Sequence, residues 1–209
     1  VLGYRTVTVM NPDYEGGYAY SHPFMAEFER RGGTVAQYQA FSPITMDFSP
    51  YIIGLEEADA HGVVVYGAGP IAALLSQYLE FGINKPLIGP QGYVDSPENL
   101  AVAKDLATLY TAYGTDYVWT IDNPANKKFV AAHQQIMAGE VPGLLSLSTY
   151  NSTKLVIEAL KKTDGDTSLD ELVKAINETT INSPAGSFSF DEHRLGNSLV
   201  YIVRVEKTT

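Results

Sequence analysis

Hydrophobic positions along the chain change their period repeatedly, and each change marks a structural element. Thr6-Val7-Thr8-Val9-Met10 is a β-branched run stopped by Asn11-Pro12-Asp13, the pattern of a strand running into a loop. From Gly17 the spacing turns helical, with Phe24, Met25 and Phe28 on one face and Gly32-Gly33 as a C-terminal cap. Thr34 to Phe41 is extended again, and Asp47-Phe48-Ser49-Pro50 opens a helix whose apolar side is Tyr51, Ile52 and Leu55. Gly62-Val63-Val64-Val65-Tyr66 lacks alternation, which predicts a strand covered on both faces. A helix over Ile71 to Phe81 closed by Gly82, a short strand at Pro86-Leu87-Ile88-Gly89 and a helix from Leu100 to Tyr110 follow. Strand and helix alternating at this spacing predict an α/β fold, a doubly wound and mostly parallel sheet with helices on both faces.

Beyond Gly114 the texture shifts. Thr115 to Ile121 reads as a strand leaving the first unit, followed by helices over Lys127 to Met137, Ser146 to Lys162 and Ser168 to Ile176. Gly186-Ser187-Phe188-Ser189-Phe190 alternates as a half-exposed strand does, and Leu199 to Val205 reads as a final strand. The expected domains are therefore 1–113 with 196–209, and a mainly helical segment over 114–195. A helical block with few strands of its own must cover the first unit or belong to a sheet that this chain does not contain. In the second case the apolar sides near Val130, Leu147 and Leu155 repack, pair with another copy or stay exposed.

Composition narrows the function classes. In 209 residues, 14 Lys and Arg stand against 24 Asp and Glu, a net charge of −10 that argues against a nucleic-acid partner. The absence of cysteine removes thiolate nucleophiles, disulfides and cysteine-ligated metals. No apolar run approaches the ~20 residues that span a bilayer. The opening Val1-Leu2-Gly3-Tyr4-Arg5 has no basic and apolar leader pattern, so a signal peptide is expected to be removed or absent. His22, His61, His133 and His193 have no metal-ligand spacing, and neither a Gly-x-Ser-x-Gly elbow nor a Gly-Lys-Ser/Thr phosphate loop occurs. No cofactor is called for. Asn151-Ser152-Thr153 and Asn177-Glu178-Thr179 match the glycosylation pattern, which is frequent by chance.

Gly67-Ala68-Gly69-Pro70-Ile71-Ala72 lies between a strand and a helix, where a dinucleotide fingerprint would. Pro70 removes an amide where phosphate would sit, and Leu87-Ile88-Gly89-Pro90 carries no acid for a ribose. A tight turn whose backbone donates to a small ligand is the better reading; a Rossmann-like nucleotide-binding enzyme is the alternative. Tyrosine is abundant, 14 in all, and Tyr14, Tyr18, Tyr20 and Tyr93 fall in or beside loops after predicted strands. In a parallel sheet those loops share the carboxyl edge, where ligands bind. Asn11 to Gly17, Gly67 to Pro70 and Pro90-Gln91-Gly92-Tyr93 thus form one candidate set.

The order of several segments is informative as a series. Val7–Met10, Asp13-Tyr14-Glu15-Gly16-Gly17, Gly32-Gly33, Asp47-Phe48-Ser49, Val63–Tyr66 with Gly67-Ala68, and Leu87-Ile88-Gly89-Pro90-Gln91-Gly92 follow one another. Asn126-Lys127-Lys128-Phe129, Thr149-Tyr150-Asn151 and Ser183-Pro184-Ala185-Gly186 to Phe190-Asp191 continue the series. The chain resembles the C-terminal portion of type I periplasmic binding proteins of ABC transporters, in the leucine/branched-chain amino-acid-binding group.

That resemblance implies a two-lobed, hinged protein, periplasmic or extracellular and free or lipid-anchored. It would close on a small-molecule solute and hand it to ABC transporter permease subunits without catalysis. Residues 1–113 would then be the second lobe and 114–195 a return to the first, whose leading part is a missing partner of the same protein. The ligand-binding residues it implies are Tyr14, Gly16, Tyr18, Gly67, Ala68, Gln91 and Tyr93. The family places an aromatic where Gly16 stands, with Tyr14 or Tyr18 as substitutes here, and a carboxylate facing the ligand ammonium where Gln91 stands. An unpaired buried charge costs about 3–5 kcal/mol, so the expected ligand is not simply leucine or valine but a larger or aromatic solute, charged or neutral, of amino-acid-like, aromatic or amide character. A ligand-sensing domain of a receptor or regulator shares the fold and stays open at this point.

Overall fold

A computed structural model describes residues 3–66, 71–90, 101–102 and 112–204, the side chains of 90 and 112–114 excepted. Its six-stranded sheet has the order β2-β1-β3-β4-β5-β9. The strands are β1 (Thr6–Pro12), β2 (Thr34–Phe41), β3 (Gly62–Val65), β4 (Leu87–Pro90), β5 (Ala112–Thr115) and β9 (Tyr201–Arg204). β1 pairs in parallel with β2 and with β3, β3 with β4, and β4 with β5. Met10 lies opposite Val65, so β1 and β3 reach the carboxyl edge together.

The two-residue period of a strand sends alternate side chains to opposite faces. On one face Val7, Val9 and Val64 pack with Tyr20, Phe24, Met25 and Phe28 of helix α1 (Glu15–Arg30). On the other, Met10, Val63, Val65 and Leu87 pack with helices α2 (Ser49–Glu57) and α3 (Ile71–Glu80) through Ile52, Leu55, Leu74, Leu75 and Tyr78. The unbroken apolar run of β3 is buried throughout because it has a helical layer on each side. The doubly wound α/β fold expected from the alternation is therefore present.

Helix α1 starts earlier than the apolar spacing suggests. Its first turn contains Gly16 and Gly17, and a Cβ on Gly17 would stand 2.1 Å from the Pro12 carbonyl oxygen. The helix therefore leaves β1 by a backbone-to-backbone approach that only glycine permits. Tyr18 and Tyr20 consequently lie within α1 rather than in a loop, and Tyr14 is its N-cap residue. The helix ends before Gly32, whose φ of +82° is the left-handed conformation of a helix stop.

The chain forms two compact units, Val1–Gly114 with Ile202–Thr209, and Thr115–Tyr201. The second holds α4 (Pro124–Ile136), α5 (Leu144–Lys162) and α6 (Leu169–Asn177). It also holds an antiparallel sheet of β6 (Ile181–Ser183), β7 (Gly186–Phe190) and β8 (Gly196–Asn197). The predicted strand over Thr115 to Ile121 is corrected to Ala112–Thr115. The Thr115 hydroxyl donates to the Tyr117 carbonyl and accepts its N–H, a side-chain turn that stops the ladder. Tyr117 turns inward with Leu147 and Ala185, and its hydroxyl donates to Asn126. Leu147 and Leu155 are buried, whereas Leu145, Val156 and Ile157 of the same helix face outward. Asn151 is buried too, so its triplet is not an accessible glycosylation site. The predicted helix over Leu100 to Tyr110 lies almost wholly outside the described residues.

Lys85 ties the entrance of β4 to the end of α2. Its ammonium donates to the carbonyls of Leu55 at 2.6 Å and Glu56 at 3.2 Å, at the end of α2 where a helix runs out of intrahelical donors, and to that of Ala58 at 2.5 Å, which also accepts the Ala60 N–H. Lys85→Met keeps much of the side-chain bulk and deletes the donors. It should lower stability by about 2 kcal/mol, measured as a shifted urea midpoint at unchanged slope.

Candidate functional site

Parallel pairing gathers the carboxyl ends of β1, β2 and β3 at one edge, and the first of these feeds directly into α1. The Tyr66 N–H donates to the Met10 carbonyl at 2.9 Å, fastening the residue after β3 beside the end of β1. Tyr14 caps α1 through its backbone alone: its carbonyl accepts from Gly17 and Tyr18, and its side chain makes no capping bond. The phenol is thereby left for another role.

Three tyrosines meet there. The rings of Tyr20 and Tyr66 stack at 5.1 Å with 29° between their planes, and Tyr14 tilts against Tyr66 at 6.4 Å and 48°. The Tyr14 and Tyr66 hydroxyls stand 3.5 Å apart. This hydrogen bond to Tyr66, followed by burial and the neighbouring phenol's charge, pushes the Tyr14 pKa up to about 12. Burial and then the charge of Tyr66 raise that of Tyr20. Both phenols therefore keep their protons in neutral solution. Beneath the rim Asn11 is fully buried, and its side-chain oxygen has no hydrogen-bond partner.

Gly16 takes part by its smallness. A Cβ there would come within 2.7 Å of the Tyr14 ring, so the ring lies where a side chain at position 16 would begin. Tyr18 goes elsewhere: its hydroxyl donates to the Asp13 carboxylate, and its ring packs against His22, which in turn meets Tyr38. That hydrogen bond holds its phenol above the usual range. Of the residues singled out from the sequence, the structure brings Tyr14 and Gly16 together and gives Tyr18 other partners. Gly67, Ala68, Gln91 and Tyr93 lie outside the described residues. Tyr66 is an addition to that set. Its signal was available in the valine run, because a strand that reaches the carboxyl edge at Val65 delivers the next side chain to the rim.

A separate groove of about 150 Å³ lies within the second unit, between α5 and β7. Asn151 lines it beside Leu147, Leu155 and Phe188, and the Asn151 Oδ1 is buried without a partner. Among the described residues, no group of three or more His, Asp or Glu side chains is placed to hold a metal ion. No helix among them is long and apolar enough to cross a membrane.

Known proteins share this architecture. The sequence profile described as periplasmic binding protein matches residues 1–209. The leucine-, isoleucine-, valine-, threonine- and alanine-binding protein of Pseudomonas aeruginosa is 25% identical over 194 residues, which is 90% of this chain and 49% of that protein. An ABC transporter substrate-binding protein from Sphaerobacter thermophilus superposes with a TM-score of 0.91 at 30% identity, covering 99% of this chain and 57% of that one. A solute-binding protein of an ABC transporter from Rhodopseudomonas palustris, solved with 3,4-dihydroxybenzoic acid, gives 0.84 at 26%, covering 99% and 57%. The chain thus spans about half the length of the relatives it matches. With its whole length matched by the profile and its fold shared with these solved structures, the chain belongs to the periplasmic binding protein family.

Proposed function

We propose that this chain is part of an extracytoplasmic solute-binding component of an ABC transporter, one that holds a small organic solute and performs no chemistry on it. The observation that carries this reading is the tyrosine rim at the carboxyl edge of a parallel sheet, within a chain of this family. Tyrosine joins an apolar ring to one hydrogen-bonding tip, which suits it to enclosing a small molecule. The relatives' names support the same role, since family members are substrate-binding transport proteins. In this role the partners are permease subunits, and release happens outside the cytoplasm. The net charge of −10 serves solubility and argues against a nucleic-acid partner.

The half of the relatives' length that this chain does not span would complete the lobe to which residues 115–201 belong. The groove beside α5 supports that assignment: an asparagine sits between two buried leucines with its oxygen unsatisfied. A buried acceptor without a donor costs about 1–3 kcal/mol, so a donor from the remaining part of the lobe is its natural complement.

Calorimetric titration of the protein as its gene encodes it, with branched-chain amino acids, aromatic acids and amides, should give saturable binding of one solute per chain. The solute should be recovered unchanged. Saturable binding of NAD or ATP, or turnover of the bound solute, would instead establish the nucleotide-binding enzyme. Asn151→Leu should raise the urea midpoint of residues 1–209 alone by removing the unsatisfied oxygen, and lower that of the whole protein. A rise in both would remove the case for a donor from the rest of the lobe.

A further inference from the structure

We infer that Asn123 and Asn126, at the start of α4, are positioning residues that yoke together the two places where the chain passes between its units, so that both connections are rooted in the second unit as one piece. The polypeptide crosses at 114–115 and again at 201–202. This goes beyond the solute-binding reading and does not require it.

The yoke is a series of hydrogen bonds within the second unit. At the first crossing the Thr115 side chain, 2% exposed, binds the Tyr117 backbone in both directions. The Tyr117 hydroxyl donates to Asn126 Oδ1 at 2.9 Å. Asn126 is 1% exposed, and its Nδ2 donates to the carbonyls of Trp119 and Ile121, both at 2.8 Å. The segment after the crossing is thus tied to a single amide. The Asn126 N–H donates in turn to Asn123 Oδ1 at 2.8 Å, the bond that caps α4. Asn123 Nδ2 then reaches across the unit to the Pro184 carbonyl at 2.9 Å. The next carbonyl, that of Ala185, accepts from the Tyr201 hydroxyl at 2.8 Å. Tyr201 is the last residue of the second unit before the chain leaves it.

Two physical points give this series a purpose. Capping alone does not call for asparagine at 123, because serine or aspartate caps as well. Neither of those carries the amide donors that bond Pro184 while the oxygen caps the helix. A buried polar network in which each member has its partners also fixes one geometry, whereas apolar contacts let side chains slide. Tyr117 and Tyr201 share an apolar cluster with Leu147 and Ala185, which keeps the two crossings near each other. The hydrogen bonds set their exact spacing. Relative movement of the units is then taken up on the first-unit side of each crossing, by both crossings at once.

The test is a distance measurement between two spin labels, on the protein as its gene encodes it. Residues 1–209 contain no cysteine, so cysteines placed at the exposed helix positions Glu29 and Glu171 put one label in each unit, with any cysteine elsewhere changed to serine. Asn123→Ser keeps a cap and loses the bond to Pro184, and Tyr201→Phe keeps the ring and loses the bond to Ala185. Thr179→Val is the control: it removes a buried hydrogen bond of the same unit, to the Ala175 carbonyl, that is outside the series. Each change should lower the thermal midpoint by about 2–4 °C. Hydrogen bonds and apolar packing restrain the crossings in parallel, so losing one of two comparable restraints roughly halves the stiffness and widens a thermal distribution about 1.4-fold. Asn123→Ser and Tyr201→Phe should each widen the label distances by that factor, and Thr179→Val should leave the width of the wild type. Links in series are cut by any one break, so the double variant should widen the distances no further than either single change. Yoke variants as narrow as the wild type overturn the inference. So does a control that widens as much as they do, or a double variant whose widening is the sum of the two. If Tyr201→Phe fails to fold by circular dichroism, Asn123→Ser against the control decides. A protein that no solute saturates would sink the solute-binding reading and leave these widths as they are.

Discussion

Parallel pairing of β1 with β3 is the constraint on which the rest of the first unit depends. It places Met10 opposite Val65, so both strands reach the same edge at the same level. Each then passes through a residue that carries a tyrosine to the rim, Tyr66 directly and Tyr14 two positions beyond Pro12. A slip of one residue would flip every side chain of β3, sending Val64 to the face of Val63 and Val65. The different helical layers on the two faces forbid that slip: α1 takes Val7, Val9 and Val64, while α2 and α3 take Met10, Val63 and Val65. The positions of the rim tyrosines are thus fixed by the packing of apolar residues several ångströms below them.

Much of this was legible in the sequence because β-branched runs and helical spacing alternate without ambiguity up to Leu87. The edge itself was legible for the same reason, since parallel strands imply a shared carboxyl rim. The legibility stopped where a side chain rather than a period decides the backbone. Thr115 ends its strand through its own hydroxyl, and the β-favouring residues Val118, Trp119 and Thr120 after it disguise the turn. The start of α1 was obscured by Gly16 and Gly17, poor helix formers whose presence answers to the closeness of Pro12 and Tyr14. Which of two tyrosines takes the place beside Gly16 could not be read from spacing. Both are near in sequence, and the choice follows from Asp13 binding one of them.

The second unit shows the opposite balance. Its helices carry clear amphipathic patterns, but its strands β6 and β8 are too short, at three and two residues, to announce themselves. They exist through antiparallel pairing with the alternating β7, whose register matches Ile181 to Phe188 and Phe190 to Gly196. Its internal core of Tyr117, Leu147 and Ala185 is small beside the cluster over α2 and α3. That modest core is in keeping with a unit whose helix α5 keeps an unsatisfied amide in its apolar stripe.

The approach of Gly17 to the Pro12 carbonyl divides the rim into a frozen part and a permissive one. No larger residue enters position 17 without parting α1 from β1, so drift there is closed. Positions 14, 16 and 66 carry no such backbone restriction, and exchanges among them alter what the rim touches while the scaffold beneath stays put. Descendants of this chain can therefore remodel the rim through three side chains, around one glycine they must inherit.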